Sequence, residues 1–468
     1  MSKKMNQLRA AVIGKDGRTS AIIESLRQSK RIAGTVEVLS GWKFSPFHSS
    51  RLEEVRLNLE RLQRSNQAPD FVVCGPEEPL AAGEGIVNWL QREFGIPCIG
   101  PTKELAKLES SKSFTRLLLA KHGIPGNPKF KIFSDLSGIE SYLKELGSFV
   151  VKPDGLTGGK GVKVFGEHLD SIEDAVLYCQ EVFDEGHPSI VIEEKLDGEE
   201  FSLQSFCDGT HVVDMPVVQD HKRACPDDTG PNTGGMGSYS CENHSLPFLG
   251  RDDLRQASAI NKLVAKALLK ETGEPYKGIL YGGFMVTRDG VRLIEYNARF
   301  GDPEALNVLS LLRTDFADVC EAIIQGTLEK LPISFQKLAT VCKYVVPDGY
   351  PEHPVKNEQI DLSRVPQESE KLKTFLAAVD KGDDGAYRLS GSRAIAFVGI
   401  GTNVAEAERI AESAASAVRG PVYHREDIGT SKLIAKRVAH MRALLSGDPD
   451  VRYAHDDAPH GGVLKFVS

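Results

Sequence analysis

No stretch of the 468 residues approaches the roughly 20 uninterrupted apolar residues that a membrane helix needs, so no membrane span is expected. Metal-cage patterning is missing as well. None of the eight cysteines, at 74, 98, 179, 207, 225, 241, 320 and 342, forms a C-x-x-C pair or stands beside a histidine at zinc-ligand spacing. Reduced thiols in a cytoplasmic setting fit that scatter. A basic excess is absent too: the net charge of −8 leaves no footprint for nucleic acid, although local basic clusters and backbone amides can still hold a nucleotide. The opening Met1 to Arg9 runs straight into Leu8 to Gly14 without a signal peptide's long apolar region or cleavage site, so no export is expected. There is no internal repeat, and the G-x-x-x-x-G-K-[ST] spacing of a Walker loop does not occur.

What is present has the length for about three domains. Ala10 to Ile13 reads as a buried strand followed by a Gly-rich turn and a helix over Thr19 to Ser29. Phe71 to Cys74, a helix over Ile86 to Phe94 and the run Ile96 to Gly100 continue the alternation, which implies a wound parallel sheet. This α/β domain is expected over 1–103, and the next helix should carry Leu105, Leu108, Phe114, Leu117 and Leu118 as its apolar positions. Over 104–335 an α+β domain is expected, with a small lobe at about 129–209, a long helix at 251–272 and a hairpin turning at Arg288-Asp289-Gly290. A C-terminal α+β domain over 336–440 and a partly disordered tail over 441–468 complete the division.

Four segments carry chemistry. Lys152 and Lys160 flank a glycine-rich hairpin turn; ammonium groups neutralise phosphates, and glycines let backbone N–H groups approach them. Standing alone, the segment also reads as a solvated surface hairpin. The apolar strand Val191-Ile192 enters the acidic turn Glu193-Glu194-Lys195-Leu196-Asp197-Gly198-Glu199-Glu200, suited to adenine along the backbone and ribose on a carboxylate, although such turns are usually just solvated. In a strand, Glu295, Asn297 and Arg299 project from one face; hard oxygen ligands there suit Mg²⁺, and Arg299 suits a transferring phosphoryl group. Finally, Asp220-His221-Lys222-Arg223 precedes the glycine-rich Gly230-Pro231-Asn232-Thr233-Gly234-Gly235-Met236-Gly237, again an anion-binding composition.

These residues, with Gly75-Pro76-Glu77-x-Pro79-Leu80, Leu108-Glu109-x-Ser111-Lys112 and Asn297-Ala298-Arg299-Phe300-Gly301-Asp302-Pro303-Glu304, resemble the ATP-grasp superfamily and, within it, the phosphoribosylamine–glycine ligase family of purine biosynthesis. The resemblance is strong over about residues 70 to 330, and it reappears at Gly401-Thr402 and Tyr423-His424-Arg425. It implies an ATP-grasp fold with a biotin-carboxylase-N-like first domain, and an enzyme joining glycine to 5-phosphoribosylamine through glycyl phosphate. It further implies Lys112 and Lys152 on the ATP phosphates, Glu193 to Leu196 along adenine, Glu200 on ribose, and Arg223 and Asn232 completing the pocket. Glu295 and Asn297 would hold Mg²⁺, with Mn²⁺ as an alternative, while Arg299 and Asp220 would orient the carboxylate substrate. Small molecules are then the only partners implied, for a monomer or homodimer, with no nucleic acid or membrane.

Two first-domain segments depart from the family. Gly14-Lys15-Asp16-Gly17-Arg18-Thr19-Ser20-Ala21 stands where G-x-G-G-R-E-H-A is usual, and Ser40 to Phe47 lacks the P-G-N-x-G loop. Both belong to the lobe expected to hold the amine. A related ligase with another amine acceptor therefore stays open. Two separate alternatives are a nucleotide-binding regulator without turnover, against which both lysines and the Glu295-x-Asn297-x-Arg299 strand argue, and a carboxylase of the same superfamily that phosphorylates bicarbonate, against which the matches at 219 to 237 count.

Overall fold

A computed structural model describes residues 7–40, 49–156 and 161–447. Lys160, most of the stretch from Ser40 to Phe47, and the tail from 448 onward lie outside the described residues. The first domain is a four-stranded parallel sheet in the order Glu37–Ser40, Ala10–Ile13, Phe71–Cys74, Cys98–Ile99. Its strands Ala10–Ile13 and Phe71–Cys74 are buried along their whole length, as apolar runs covered by helices on both faces must be. Asp16 begins the helix Gly17–Arg27 by accepting a hydrogen bond from the Thr19 amide.

The apolar positions from Leu105 to Leu118 do not form one helix. Ser111 takes an extended conformation between the helices Lys103–Ser110 and Lys112–Lys121, and its hydroxyl accepts from the Phe114 amide as the second helix's cap. A serine competes for the backbone in this way wherever its side chain can replace a helical bond. Leu118 is buried on this second helix, but Leu117 points to solvent. The break makes Lys112 the first residue of a new helix, beside the cleft described below.

The small lobe is a four-stranded antiparallel sheet, Phe130–Phe133, Ile190–Glu194, Phe149–Pro153, Lys163–Val164, packed against the helices Ile139–Leu146 and Ile172–Asp184 over a core of its own. At Gly198 the chain leaves that sheet. Gly198–Asp208 pairs instead with Lys277–Thr287 in a second four-stranded sheet, completed by Val212–Asp214 and Gly290–Asn297 and backed by the long helix Arg251–Thr272. The stretch 129–209 therefore spans two sheets.

A fourth sheet runs Gln219–Asp220, Gly237–Ser240, Ala339–Pro347, Ile395–Gly401, Leu372–Leu376. Two of its strands precede residue 335, so hydrogen bonding is continuous between the central and C-terminal parts of the chain. The helix Ser431–Ser446 extends beyond 440 and packs against Gly198–Asp208. Among the described residues no helix is long and apolar enough to cross a membrane, and all eight cysteines are free thiols, buried except for the half-buried Cys225.

Gly237 shows how the fourth sheet closes: a Cβ there would lie 2.2 Å from the Cys342 carbonyl oxygen. Main chain cannot yield to a methyl group as a side-chain end can. Gly237→Ala is accordingly expected to destabilise the protein by about 2 to 3 kcal/mol, measured as a lower midpoint in thermal or denaturant unfolding.

Candidate active site

A β-bulge sets the site. Between the strands Lys277–Thr287 and Gly290–Asn297, Gly283 pairs with Glu295 and Phe284 with Leu293, which leaves Ile294 without a cross-strand partner. Its carbonyl accepts from Lys152 Nζ at 3.2 Å and from Arg116 Nη2 at 2.7 Å. Between those two cations sits Glu193, which takes a two-pronged grip from Arg116 at 2.6 and 2.9 Å and pairs with Lys152 at 2.7 Å. Burial pushes the Glu193 carboxyl up, and the two cations outweigh burial and hold it below the usual carboxylate range. Lys152 and Glu193 belong to the small lobe, Arg116 to the helix after Ser111, and Ile294 to the central sheet, so three bodies meet here.

Glu295 follows at once along the bulged strand. Burial raises its carboxyl, but Lys222, Lys152, Lys112 and Arg299 together bring it below the usual range, so it is ionised. The lysines expected at phosphates thus lie within electrostatic reach of the carboxylate expected at a metal. Burial also lowers the Lys112 ammonium, whose Nζ donates to the Gly155 carbonyl at 2.8 Å at the start of the glycine-rich turn. Asp154 secures that turn, accepting from Ser111 Oγ at 3.2 Å, the Ser113 amide at 3.3 Å and Ser189 Oγ at 3.1 Å.

The far wall comes from the acidic turn and the basic hairpin. Glu200 is half exposed and lies 3.5 Å from Lys222, whose ammonium is pushed up first by Glu200 and then by Glu295 and Asp220. Arg223 donates to the Gly230 carbonyl at 2.9 Å and pairs with Glu167 at 2.8 Å, and Asn232 lies opposite it across the hairpin Arg223–Cys225/Thr229–Asn232. Glu194 accepts from the Lys129 amide at 2.9 Å, and Lys195 reaches Glu167 at 3.1 Å, leaving the main chain through Leu196 as the lobe connection. Asp220 lines the same cleft beside Tyr281; burial and Glu304 push its carboxyl well above the ordinary range, and its Oδ1 has no hydrogen-bond partner among the described residues.

Strand alternation places Glu295 and Asn297 together but does not extend to Arg299, because the strand ends at Asn297. The Arg299 guanidinium is gripped instead by Glu77 at 3.2 Å and Glu109 at 3.0 Å. Burial raises the Glu109 carboxyl to about 7 against the pull of Arg299. Glu77 also meets Arg18 at 3.3 Å, and Arg18 pairs with Asp16 at 2.7 Å and donates to the Phe300 carbonyl at 3.0 Å. The unusual first-domain turn thus feeds an alternating chain of charges that ends at Arg299.

Among the described residues no three His, Cys, Asp or Glu side chains converge as a metal cage. An ionised carboxylate and an amide oxygen suit a hard cation that takes its remaining ligands from water and phosphate. A second, larger cleft of about 380 Å³ opens between the first and C-terminal domains, lined by Lys15, Arg18, Glu78, Asp302, Lys356 and Arg393 among others.

The residues not singled out from sequence are mostly countercharges. Glu77 and Glu109 stood inside quoted motifs without a role, and Arg116 carried no signal beyond its spacing of four from Lys112, which puts both on one helix face.

Profiles of the phosphoribosylglycinamide synthetase N domain, ATP-grasp (A) domain and C domain match residues 8–109, 110–305 and 340–431. A phosphoribosylamine–glycine ligase from Methanocella arvoryzae is 46% identical over 443 residues, covering 93% of this chain and all of the relative. One from Methanobrevibacter smithii is 49% identical over 381 residues, covering 81% and 86%. Among solved structures, a phosphoribosylamine–glycine ligase from Thermotoga maritima superposes with a TM-score of 0.72 at 26% identity, over 90% of this chain and all of that one. The biotin carboxylase domain of a Hydrogenobacter thermophilus 2-oxoglutarate carboxylase, solved with MgADP, ADP and bicarbonate, gives a TM-score of 0.66 at 15% identity over 97% and 100%, a likeness of fold.

Glu193→Gln leaves two buried cations facing a neutral amide and is expected to cost about 3 to 5 kcal/mol of stability. The native carboxyl is depressed from 4.5, so its contribution is complete above that value and disappears as pH falls through the lower folded value. Melting temperatures measured from pH 7 down to pH 2 should therefore converge for the two proteins in acid.

Proposed function

The chain belongs to the phosphoribosylglycinamide synthetase family, and from that premise we infer that it joins glycine to 5-phosphoribosylamine at the expense of ATP, giving glycinamide ribonucleotide, ADP and phosphate for purine biosynthesis. One observation about the site supports this most directly: Glu295 and Lys222 line one cleft, Lys152 donates to the carbonyl of the adjoining Ile294, and the charges of Lys222, Lys152 and Lys112 hold Glu295 ionised. We assign the triphosphate to these ammonium groups, adenine to the main chain from Glu193 to Leu196, and ribose to Glu200. Glu193 would contribute backbone only, since its side chain is committed to Arg116 and Lys152. Glu295 and Asn297 would hold Mg²⁺, which when bound would neutralise phosphate charge.

Glycine's carboxylate attacks the γ-phosphorus, ADP leaves, and glycyl phosphate forms. The amine of phosphoribosylamine then attacks the glycyl carbonyl, phosphate departs, and the amine nitrogen loses a proton. No side-chain nucleophile is required. The protein's part is to position reactants, neutralise phosphate charge through Lys112, Lys152, Lys222 and Arg299, and keep water from the acyl phosphate. Arg299 is held ready by Glu77 and Glu109, so its charge is in place before substrates arrive.

For the amine we propose the cleft of about 380 Å³. It adjoins Arg18 and Asp302 at the end of the charge chain, and its rim carries Lys15 and Lys356, ammonium groups suited to the acceptor's 5-phosphate. Lys15 comes from the departing Gly14 to Ala21 turn, so the altered loop still supplies a cation to this rim.

Glu295→Ala is expected to lower glycine-dependent ADP release by about a thousandfold or more, with an unchanged melting temperature; undiminished turnover would remove the metal assignment. Bicarbonate in place of glycine should release no ADP, which separates this reading from a carboxylase. Lys356→Ala should raise the KM for phosphoribosylamine about tenfold, the worth of one hydrogen bond to a charged group, and leave the KM for ATP unchanged.

A further inference from the structure

The hairpin that carries Arg223 at its base turns through Asp227 and Asp228, two successive residues with φ of 58° and 60°. Left-handed backbone is unfavourable for residues with a Cβ and persists where surroundings over-determine it. Here the C-terminal domain supplies those surroundings. Asp427 accepts from the Asp227 amide at 2.9 Å, and Lys436 Nζ donates to the Asp227 carbonyl at 3.2 Å. The Asp228 carboxylate accepts from Arg425 Nη1 at 3.0 Å and from Arg437 Nη2. Arg425 is fully buried and also donates to the Arg223 carbonyl at 3.0 Å.

Arg437 has a second partner on the neighbouring segment of the same wall. Its Nη1 lies 3.3 Å from Glu199, whose other oxygen meets His440 at 2.7 Å. Glu199 is buried, whereas its neighbour Glu200 is exposed, because successive strand residues face opposite sides. The same division holds for His221 and Lys222: His221 is buried against Asp228 at 3.5 Å, while Lys222 lines the cleft. In both segments, then, one residue is turned away from the cleft and the next faces the nucleotide site.

We propose that Arg437, which touches no nucleotide-facing group itself, is a positioning residue for nucleotide binding, bridging Glu199 and Asp228 so that the paired Glu200 and Lys222 are held in place on the cleft wall. The inference rests on the assignment of ATP to that cleft. It gives the C-terminal helix a part in nucleotide affinity through a single guanidinium that ties both segments together, a geometry that a lysine's point charge cannot reproduce.

The test is MgADP binding to the full chain by titration calorimetry, which needs no turnover. Arg437→Ala should weaken MgADP by about tenfold, within the usual range of coupling between sites, and Arg437→Lys should recover only part of that loss. Glu199→Gln, which cuts one arm while keeping shape, should weaken MgADP in the same direction and serves alone if Arg437→Ala does not fold. A lowered melting temperature with unchanged MgADP affinity would mean that Arg437 only staples the helix down, and would overturn the proposal. Wild-type protein that does not bind MgADP would overturn both the bridge and the nucleotide assignment, whereas normal wild-type binding with unaffected variants would overturn the bridge alone.

Discussion

The Glu193 carboxylate, shared by Arg116 and Lys152, is the interaction on which the site depends. Two cations this deeply buried are tolerable only because one carboxylate lies between them and because both also donate to the Ile294 carbonyl. That carbonyl is free because the bulge takes it out of the ladder. Removing the bulge would return Ile294 to cross-strand pairing and shift Glu295 to the other face, since a one-residue change of register reverses the side chains. A backbone irregularity therefore brings Lys152, proposed for phosphate, close to Glu295, proposed for the metal.

Around this knot the molecule is a set of sheets tied by alternating charge. Asp16, Arg18, Glu77, Arg299 and Glu109 form a sequence of opposite signs from the first domain to the edge of the central sheet. Each member is compensated, which is how so many ionised groups can be buried near a site that must also bind phosphate. Tyr344 adds an uncharged tie, donating to Asp302 at 2.6 Å from the C-terminal strand while its hydroxyl occupies the space that a side chain at Gly17 would need. The small lobe places none of its core in the main cluster, and polar contacts such as Arg116 to Glu193 and Ser111 to Asp154 tie it to the rest.

The glycines divide in a way their motifs do not announce. Gly17 and Gly237 admit a tyrosine hydroxyl and a neighbouring strand, whereas a Cβ on Gly283, beside Glu295, would meet only ordinary contacts. Gly237 lies in a segment whose composition suggests anion contact, yet its role is packing. Composition reports that backbone must come close to something; only coordinates say whether that something is a phosphate or another part of the chain.

The sequence by itself determined the strands Ala10–Ile13 and Phe71–Cys74, the helix Arg251–Thr272 and the hairpin ending in Gly290–Asn297, because hydrophobic period and turn residues are local properties. It also determined the family, since several short motifs in fixed order are far more specific than any one of them. Tertiary structure decided which charges pair: Arg116 with Glu193, Arg299 with Glu77 and Glu109, Arg437 with Glu199 and Asp228. Those partners lie tens to hundreds of residues apart, and no periodicity records a contact made by folding. The break at Ser111 and the end of the strand at Asn297 were likewise decided there, because a serine can cap or continue a helix and a strand can stop or run on until its neighbours are in place.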